Sequence, residues 1–398
     1  MILRPTSKRN VRKKQRQRKQ LNFQLLEGRK LMAGDLMASM NHGPGTEMHA
    51  PTMNMDSGGG HHCSGHTHTN PAMMALVTDA QATHVTVGTG NWSDPAVWQN
   101  GVVPSHGARV VVGQGHTLTV DRVFNEELKT VRIDGTLKFA TNVNTQLKVD
   151  TMVSMACGRL EMGTAANRID AGVTAKLIIA DDGAIDRNWD PTQLSRGLLL
   201  MGSSEFAGAQ TTDKLTLATQ PTRGTRTLQL SAVPTNWKAG DEIVITGTQG
   251  ATSDEVRTIS SVNGTNVVLN QALQLDHITP KQGLDVYVAN KTRNVEIRSE
   301  NTSTPRRGHV MFMHTHHVKI DNAGFYDLGR TDKSQDLDDV FFEFTEDAVG
   351  NEAGAPTVYT VEVEPEANNI RGRYAMHFHR GGVDPNSMPA TVHGSVVD

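Results

Sequence analysis

The chain has 398 residues, of which 37% are apolar and 5% aromatic, and it contains 37 glycines. Its first twenty residues hold nine Lys and Arg and no acid, so the remaining residues carry 30 bases against 42 acids, a net charge of −12. The length allows two or three domains. An acidic body argues against nucleic acid as the partner.

Residues 1–33 form a strongly basic segment with no apolar run long enough to cross a membrane. Composition alone favours a disordered arm. Within it, the run LEGRKLM at 26–32 resembles the LEPR-XLL export segment of large planctomycete surface proteins, with Gly28 where proline is usual. This resemblance implies an exported protein, extracellular or displayed at the cell surface.

Residues 34–80 are predicted to be a disordered linker rich in His and Met. Imidazole, thioether and thiol groups are soft metal donors, but no fixed ligand spacing is present. Adventitious Cu or Zn binding is therefore our interpretation, and metal scavenging is the alternative. Deletion of residues 35–75 distinguishes them, since it removes Cu binding only if the linker binds the metal.

From residue 81 the pattern changes to short apolar runs, about twenty residues apart and separated by Gly or Asp turns. The runs alternate apolar and polar residues, which is the period of half-buried strands, and their regular spacing is typical of a β-solenoid. The fold class is therefore predicted to be all-β, with a parallel β-helix. We place a β-subdomain at 211–290 and the first β-helix rungs at 291–398, with an acidic insertion at 331–370.

Residues 81–210 resemble the G-eight domain, which is named for its eight glycines. The segments NWKAGDEIVITGT, RNVEIRSE, GHVMFMH and RYAMHFH then resemble, in the same order, the region that follows this domain in the cell-surface hyaluronidases. The resemblance covers about residues 88–330 and 371–398, and it implies a right-handed coil and activity on a polysaccharide. The matching G-eight positions include Trp92, Asp94, Pro95, Trp98, Gly101, Pro104, Gly107, Gly113, Gly135, Gly158 and Gly163.

The candidate site lies on two histidine-rich strands. Alternation places His377 and His379 on one face of their strand and Phe378 on the other, with Tyr374 and Met376 predicted on the face of Phe378. On the earlier strand, Val310 and Phe312 are predicted to face the core, so that His309, Met311 and Met313 point outward. If the strands stack as neighbouring rungs about 4.8 Å apart, His309, His377 and His379 share one solvent-facing patch.

We therefore predict His377, His379, His309 and Asp321 as catalytic residues. Arg330, Arg373 and Arg380 are predicted to bind the carboxylate or sulfate of an anionic polysaccharide. The H-x-H pairs His314/His316 and His377/His379 are predicted metal ligands, for Ca²⁺ or Zn²⁺.

The sequence leaves the chemistry open. Hydrolysis of a glycosidic bond needs two carboxylates at a controlled separation, whereas elimination at a uronate needs a base and a group that neutralises the carboxylate. The first hypothesis is a polysaccharide-active protein that binds, and in its catalytic form cleaves, a hyaluronan-like glycan. The alternative is a non-catalytic carbohydrate-binding or adhesion module.

Overall fold

The computed structural model describes residues 71–250, 252–315, 317–337, 368–381 and 389–398. These residues form one five-residue α-helix, three short 3₁₀ turns and 24 strands, so the prediction of an all-β chain is confirmed. The basic segment, the linker up to residue 70 and most of the acidic insertion lie outside the described residues. No helix in the described part of the chain is long and apolar enough to cross a membrane.

The first half of the structure is a stack of parallel strands. Apolar residues alternate with polar ones along most of these strands, because one side of each strand faces the inside of the coil. The α-helix and strands are α1 (Pro71–Ala75), β1 (His84–Val85), β2 (Gly90–Asn91), β3 (Arg109–Val112), β4 (Thr117–Val120), β5 (Val123–Ile133), β6 (Thr136–Phe139), β7 (Thr145–Ser154), β8 (Arg159–Met162), β9 (Ala175–Ile179), β10 (Gly197–Leu200) and β11 (Ser203–Ala207).

A six-stranded antiparallel sheet is inserted between β11 and the next strand of the stack. Its strand order is β12-β17-β14-β15-β16-β13, and it has an apolar core of its own around Trp237, Ile243 and Val288. The strands are β12 (Lys214–Thr216), β13 (Thr227–Gln229), β14 (Glu242–Ile245), β15 (Glu255–Asn263), β16 (Asn266–Leu269) and β17 (Tyr287–Asn290).

The parallel stack then resumes and carries the candidate site. Its strands are β18 (Val295–Ser299), β19 (His309–Met313), β20 (Val318–Asp321), β21 (Ala323–Tyr326), β22 (His377–His379), β23 (Thr391–His393) and β24 (Val396–Val397). Successive coils pair in register and in parallel, as in β10–β19–β22 and β11–β20–β23. The chain is therefore a parallel β-helix, as predicted.

The long strand β7 is where the coil changes shape. Its first half, 145–149, pairs with β9, and its second half, 151–154, pairs with β10. From the next coil onward, which is formed by β9, β10 and β11, each coil has three separate strands in place of two. The β10–β19–β22 row, which holds the histidines, is one of the three sides that result.

Two apolar layers lie on opposite faces of this row. Phe312 points into the coil and packs edge-on against Phe206, at 6.3 Å between ring centroids. Met311 and Met313 point outward, as predicted, but they are not exposed: they pack with Met73 and other apolar residues in a second cluster. The expectation of a solvent-facing strand is wrong here, because the segment that contains α1 covers the outer face.

Candidate functional site

Strand β22 places its two histidines on the outer face of the coil. Phe378 points inward and stacks on Phe312, with ring centroids 5.0 Å apart and an interplanar angle of 22°. The residues on either side, His377 and His379, are consequently turned outward and are half-buried. The alternation predicted for these three residues agrees with this geometry.

Aromatic and imidazole rings cluster around His377. Its ring centroid lies 5.4 Å from that of His379 and 5.4 Å from that of Tyr374. The ring of His314 lies 5.8 Å from that of His379. His316, the fourth residue of the predicted metal set, is outside the described residues.

The environment disfavours the protonated form of both strand histidines. Burial lowers the pKa of His377, and although a bond to the Gly372 carbonyl acts in the opposite direction, the net shift is downward. Burial, followed by the nearby His377 and Arg380, lowers the pKa of His379 to about 4. Both imidazoles are neutral at pH 7.

The tautomer of His377 follows from its hydrogen bond. Its Nδ1 lies 3.4 Å from the carbonyl oxygen of Gly372, which can only accept, so Nδ1 carries the proton. The lone pair of the neutral ring is then on Nε2. This nitrogen can accept a proton or bind a metal ion.

His309 does not belong to the exposed patch. It is 0% exposed, and its Nδ1 lies 3.0 Å from Arg330 Nη1. Burial, followed by the charges of Arg330 and Arg373, holds its pKa well below the usual value. The prediction of a solvent-facing His309 is therefore wrong, because the loop before β10 and the side chain of Arg330 enclose it.

Arg330 is held by backbone carbonyls. Nη1 donates to the Arg196 carbonyl at 3.1 Å and to Nδ1 of His309, and Nη2 donates to the carbonyls of Gln193 and Ser195 at 2.6 and 2.9 Å. Burial and then the charge of Arg373 lower its pKa to about 9, so it stays charged at neutral pH. These bonds use the donors that a glycan carboxylate would need.

Arg373 is bound to the same loop. It is 7% exposed, and its Nε and Nη2 donate to the carbonyls of Gln193 and Thr192 at 2.7 and 2.8 Å. Asp190, which belongs to this loop, also stabilises it, since its carboxylate accepts a hydrogen bond from the backbone N–H of Ser195 at 2.7 Å. The geometry thus gives Arg330 and Arg373 a structural role and argues against the predicted contact with substrate.

Cationic side chains remain around the histidines. Arg371 and Arg380 are exposed, and Lys333 Nζ lies 5.1 Å from the centre of the Tyr374 ring.

The sequence pattern predicts Tyr374 on the apolar face of the strand. The structure instead puts it beside His377, because β22 begins only at residue 377 and alternation does not extend back to 374. We refer to His377, His379, Tyr374, Lys333, Arg371 and Arg380 as the histidine rim.

Asp321 lies on a different side of the coil. It is on β20, which pairs with β11 and β23, not with the histidine row. Its carboxylate forms an ion pair with Arg168 and lies 3.4 Å from His393 Nδ1. The structure therefore does not bring Asp321 together with His377 and His379.

The predicted metal set is only partly visible. Within the described ranges, no three His, Cys, Asp or Glu side chains converge as a metal site. His314, His377 and His379 are neighbours, but they do not by themselves meet that geometry. Since His316 is outside the described residues, the four-histidine site stays a prediction.

Known proteins resemble parts of this chain. No curated protein matches its sequence significantly. Three solved phage tailspikes align with it: gp61 of Pseudomonas phage phi297 (15% identity, 51% of this chain and 29% of that chain, TM-score 0.20), gp54 of Acinetobacter baumannii bacteriophage AP22 in complex with a capsular saccharide (13%, 50% and 27%, 0.21) and gp49 of Pseudomonas phage LKA1 (13%, 53% and 29%, 0.19). The alignments span less than a third of each tailspike, and TM-scores this low carry no inference about function.

The family comparison is more specific. Residues 97–218 match the G8 domain, the eight-glycine domain that the sequence pattern predicts. The matched segment runs from the end of the 3₁₀ turn Pro95–Val97 to just beyond β12, the first strand of the inserted sheet. The chain therefore contains a G8 domain at residues 97–218.

Proposed function

We propose that this protein binds an anionic polysaccharide outside the cell, at the histidine rim. The observation that carries the proposal is the combination of two neutral, half-buried imidazoles with Tyr374, Lys333 and Arg380 on an otherwise acidic protein. The segment 368–381 contains no acid, and two of its three arginines, Arg371 and Arg380, are exposed. A local cationic surface on an acidic body attracts anions.

The groups at the rim suit a sugar acid. An exposed guanidinium binds a carboxylate or sulfate through two parallel hydrogen bonds, and a tyrosine ring offers an apolar surface with a polar edge. Arg330 and Arg373 are bound to the 190–196 loop, whereas Arg380, the third member of the predicted substrate set, is exposed. Hyaluronan is the first glycan to test, since the sequence resembles that of the cell-surface hyaluronidases.

Cleavage by elimination is the catalytic form of this proposal. His377 Nε2 would remove the proton next to the uronate carboxylate, and the electron pair would form a carbon–carbon double bond as the bond to the leaving sugar oxygen breaks. A protonated group or water returns a proton to that oxygen. Arg380 would neutralise the carboxylate charge that builds up during proton removal.

Hydrolysis by a carboxylate pair has less support. Of the three carboxylates nearest in sequence, Asp321 lies on another side of the coil and Asp327 pairs with Arg298 at 3.2 Å. Asp332 is half-buried and accepts hydrogen bonds from the backbone N–H and the hydroxyl of Ser334. Among the residues that the structure describes here, the imidazoles are therefore the bases that the rim offers.

The experiment uses the full chain on a panel of immobilised hyaluronan, chondroitin sulfate, alginate and a neutral glucan at low and physiological salt. We expect binding to the anionic glycans only, weakened at least tenfold in the His377→Ala/His379→Ala double variant and in Arg380→Ala. Arg223→Ala, an exposed arginine of the inserted sheet, is the matched control and should bind like the parent chain. A folded parent chain that binds no anionic glycan at low salt would refute the proposal.

Product analysis then separates an enzyme from a binding module. Elimination gives an unsaturated uronate with a characteristic ultraviolet absorbance, whereas hydrolysis gives only new reducing ends. Unsaturated product from the parent chain but not from His377→Ala supports elimination. Binding without shorter chains assigns the protein to the non-catalytic alternative.

A further inference from the structure

Two methionines lie directly beside the two rim histidines. In the parallel pairing of β19 with β22, Met311 is opposite His377 and Met313 is opposite His379. All four side chains are on the outer face of the coil, since the residue between each pair, Phe312 or Phe378, points inward. The outer face therefore carries a block of two thioethers and two imidazoles.

The spacing of this block suits a single ion. Neighbouring strands are about 4.8 Å apart and alternate residues on a strand about 6.6 Å apart, so the four Cβ atoms form a rectangle of about that size. Its half-diagonal is about 4 Å, which both side-chain types can span. The His377 and His379 ring centroids are 5.4 Å apart, and two rings on one ion reach about 6 Å with metal–nitrogen bonds of about 2 Å.

The methionines of this block are more buried than its histidines. Met311 is 5% and Met313 2% exposed, within the apolar layer that includes Met73 and Met201. The two histidines are half-buried at the border of this layer. An ion held there would have thioethers on its dry side and imidazoles on its accessible side.

His377 is already oriented as a metal ligand. Its Nδ1–H points to the Gly372 carbonyl, which leaves the Nε2 lone pair for coordination. A backbone carbonyl on the second ring nitrogen is the usual partner of a metal-binding histidine, because it fixes both tautomer and ring angle. This observation is independent of the pairing of β19 with β22.

The donor types decide which ion fits. Among the described residues, no carboxylate, thiolate or further imidazole joins His377 and His379 in metal-binding geometry. This disfavours Ca²⁺, which needs several oxygen ligands, and a structural Zn²⁺ site, which needs four His, Cys or carboxylate ligands. Thioether and imidazole together are a soft donor set that selects Cu(I). We propose that Met311, Met313, His377 and His379 form a Cu(I) site on the outer face of the β-helix.

The test is a Cu(I) titration of the full chain under anaerobic, reducing conditions against bathocuproine disulfonate. The His/Met linker at residues 34–80 is present in every sample, so its contribution cancels between variants. We expect Met311→Leu/Met313→Leu to lose one tightly bound equivalent, or to bind it at least tenfold more weakly. Met162→Leu, a core methionine on β8 that is 0% exposed, is the matched control and should retain it.

Leucine conserves the volume of methionine closely, so these variants should fold; circular dichroism checks this. As a second measurement, X-ray absorption at the copper edge should show sulfur neighbours that decrease in the Met311→Leu/Met313→Leu variant and nitrogen neighbours that decrease in His377→Gln/His379→Gln. Unchanged stoichiometry, affinity and sulfur signal in the methionine variant would overturn the proposal. Glycan binding is measured without copper, so the two proposals succeed or fail separately.

Discussion

Replacing Arg330 by alanine tests whether this residue supports the fold or binds substrate. Its guanidinium donates to the carbonyls of Gln193, Ser195 and Arg196 and to Nδ1 of His309. Each buried acceptor that loses its donor costs about 1–3 kcal/mol. Part of this loss is recovered, because the Arg196 carbonyl still accepts from the backbone N–H of His309 at 3.3 Å and the Gln193 carbonyl from Arg373 Nε at 2.7 Å. We expect the unfolding free energy to fall by about 4 kcal/mol.

The assay is urea unfolding of the full chain, followed by tryptophan fluorescence, with glycan binding measured on the same samples below the transition. Arg330→Lys should also be destabilised, since one ammonium cannot reach four acceptors arranged around a planar fork. Arg223→Ala should stay within about 0.5 kcal/mol of the parent chain. If Arg330→Ala unfolds at the parent urea concentration but loses glycan binding, the structural assignment is wrong and Arg330 contacts the substrate.

Two further predictions concern the stability of the coil. In Gly197→Ala the new Cβ would lie 2.5 Å from His309 Nδ1 and 2.6 Å from the His309 carbonyl oxygen, so we expect the unfolding free energy to fall by about 1–3 kcal/mol. Gly172→Ala is the control, because its new Cβ would meet nothing within 4 Å. Equal urea midpoints for the two variants would contradict this prediction. Burial alone would raise the pKa of Asp321, but the hydrogen bond and charge of Arg168 outweigh it and lower that pKa below 3.8. The ion pair therefore stabilises the fold above about pH 4, and this stabilisation is lost as the pH falls through the lowered pKa. Between pH 7 and pH 3 the unfolding free energy of Asp321→Asn should consequently fall by less than that of the parent chain. An identical fall in both would show that the ion pair contributes nothing.

The sequence was informative wherever a residue's role depends on strand alternation. It assigned Phe378 to the inward face of the strand and His377 and His379 to the outward face, because successive side chains of a strand point to opposite faces. It failed at Tyr374, which precedes the strand and turns its ring to His377. A strand boundary depends on pairing with the neighbouring coil, and alternation does not reveal it.

Asp321 shows a second limit. Only a few residues separate it from β19 in the sequence, but a turn carries it onto another side of the coil, where it meets Arg168 from a rung formed about 150 residues earlier. Sequence proximity in a β-helix does not mean spatial proximity, since the chain changes side every few residues. The residues that pack beside a side chain are therefore about one full coil away from it in the sequence.

By itself the sequence determined the all-β class, the parallel β-helix, the G8 domain and the outward direction of the rim histidines, because each follows from local alternation, turn spacing or a motif. Only the tertiary structure decided which outward residues are exposed. Alternation gives the face on which His309, Met311 and Met313 lie, but their burial depends on α1 and the 190–196 loop, which come from distant parts of the chain. Burial is a property of what packs on a face, and this packing is settled only when the whole coil is assembled.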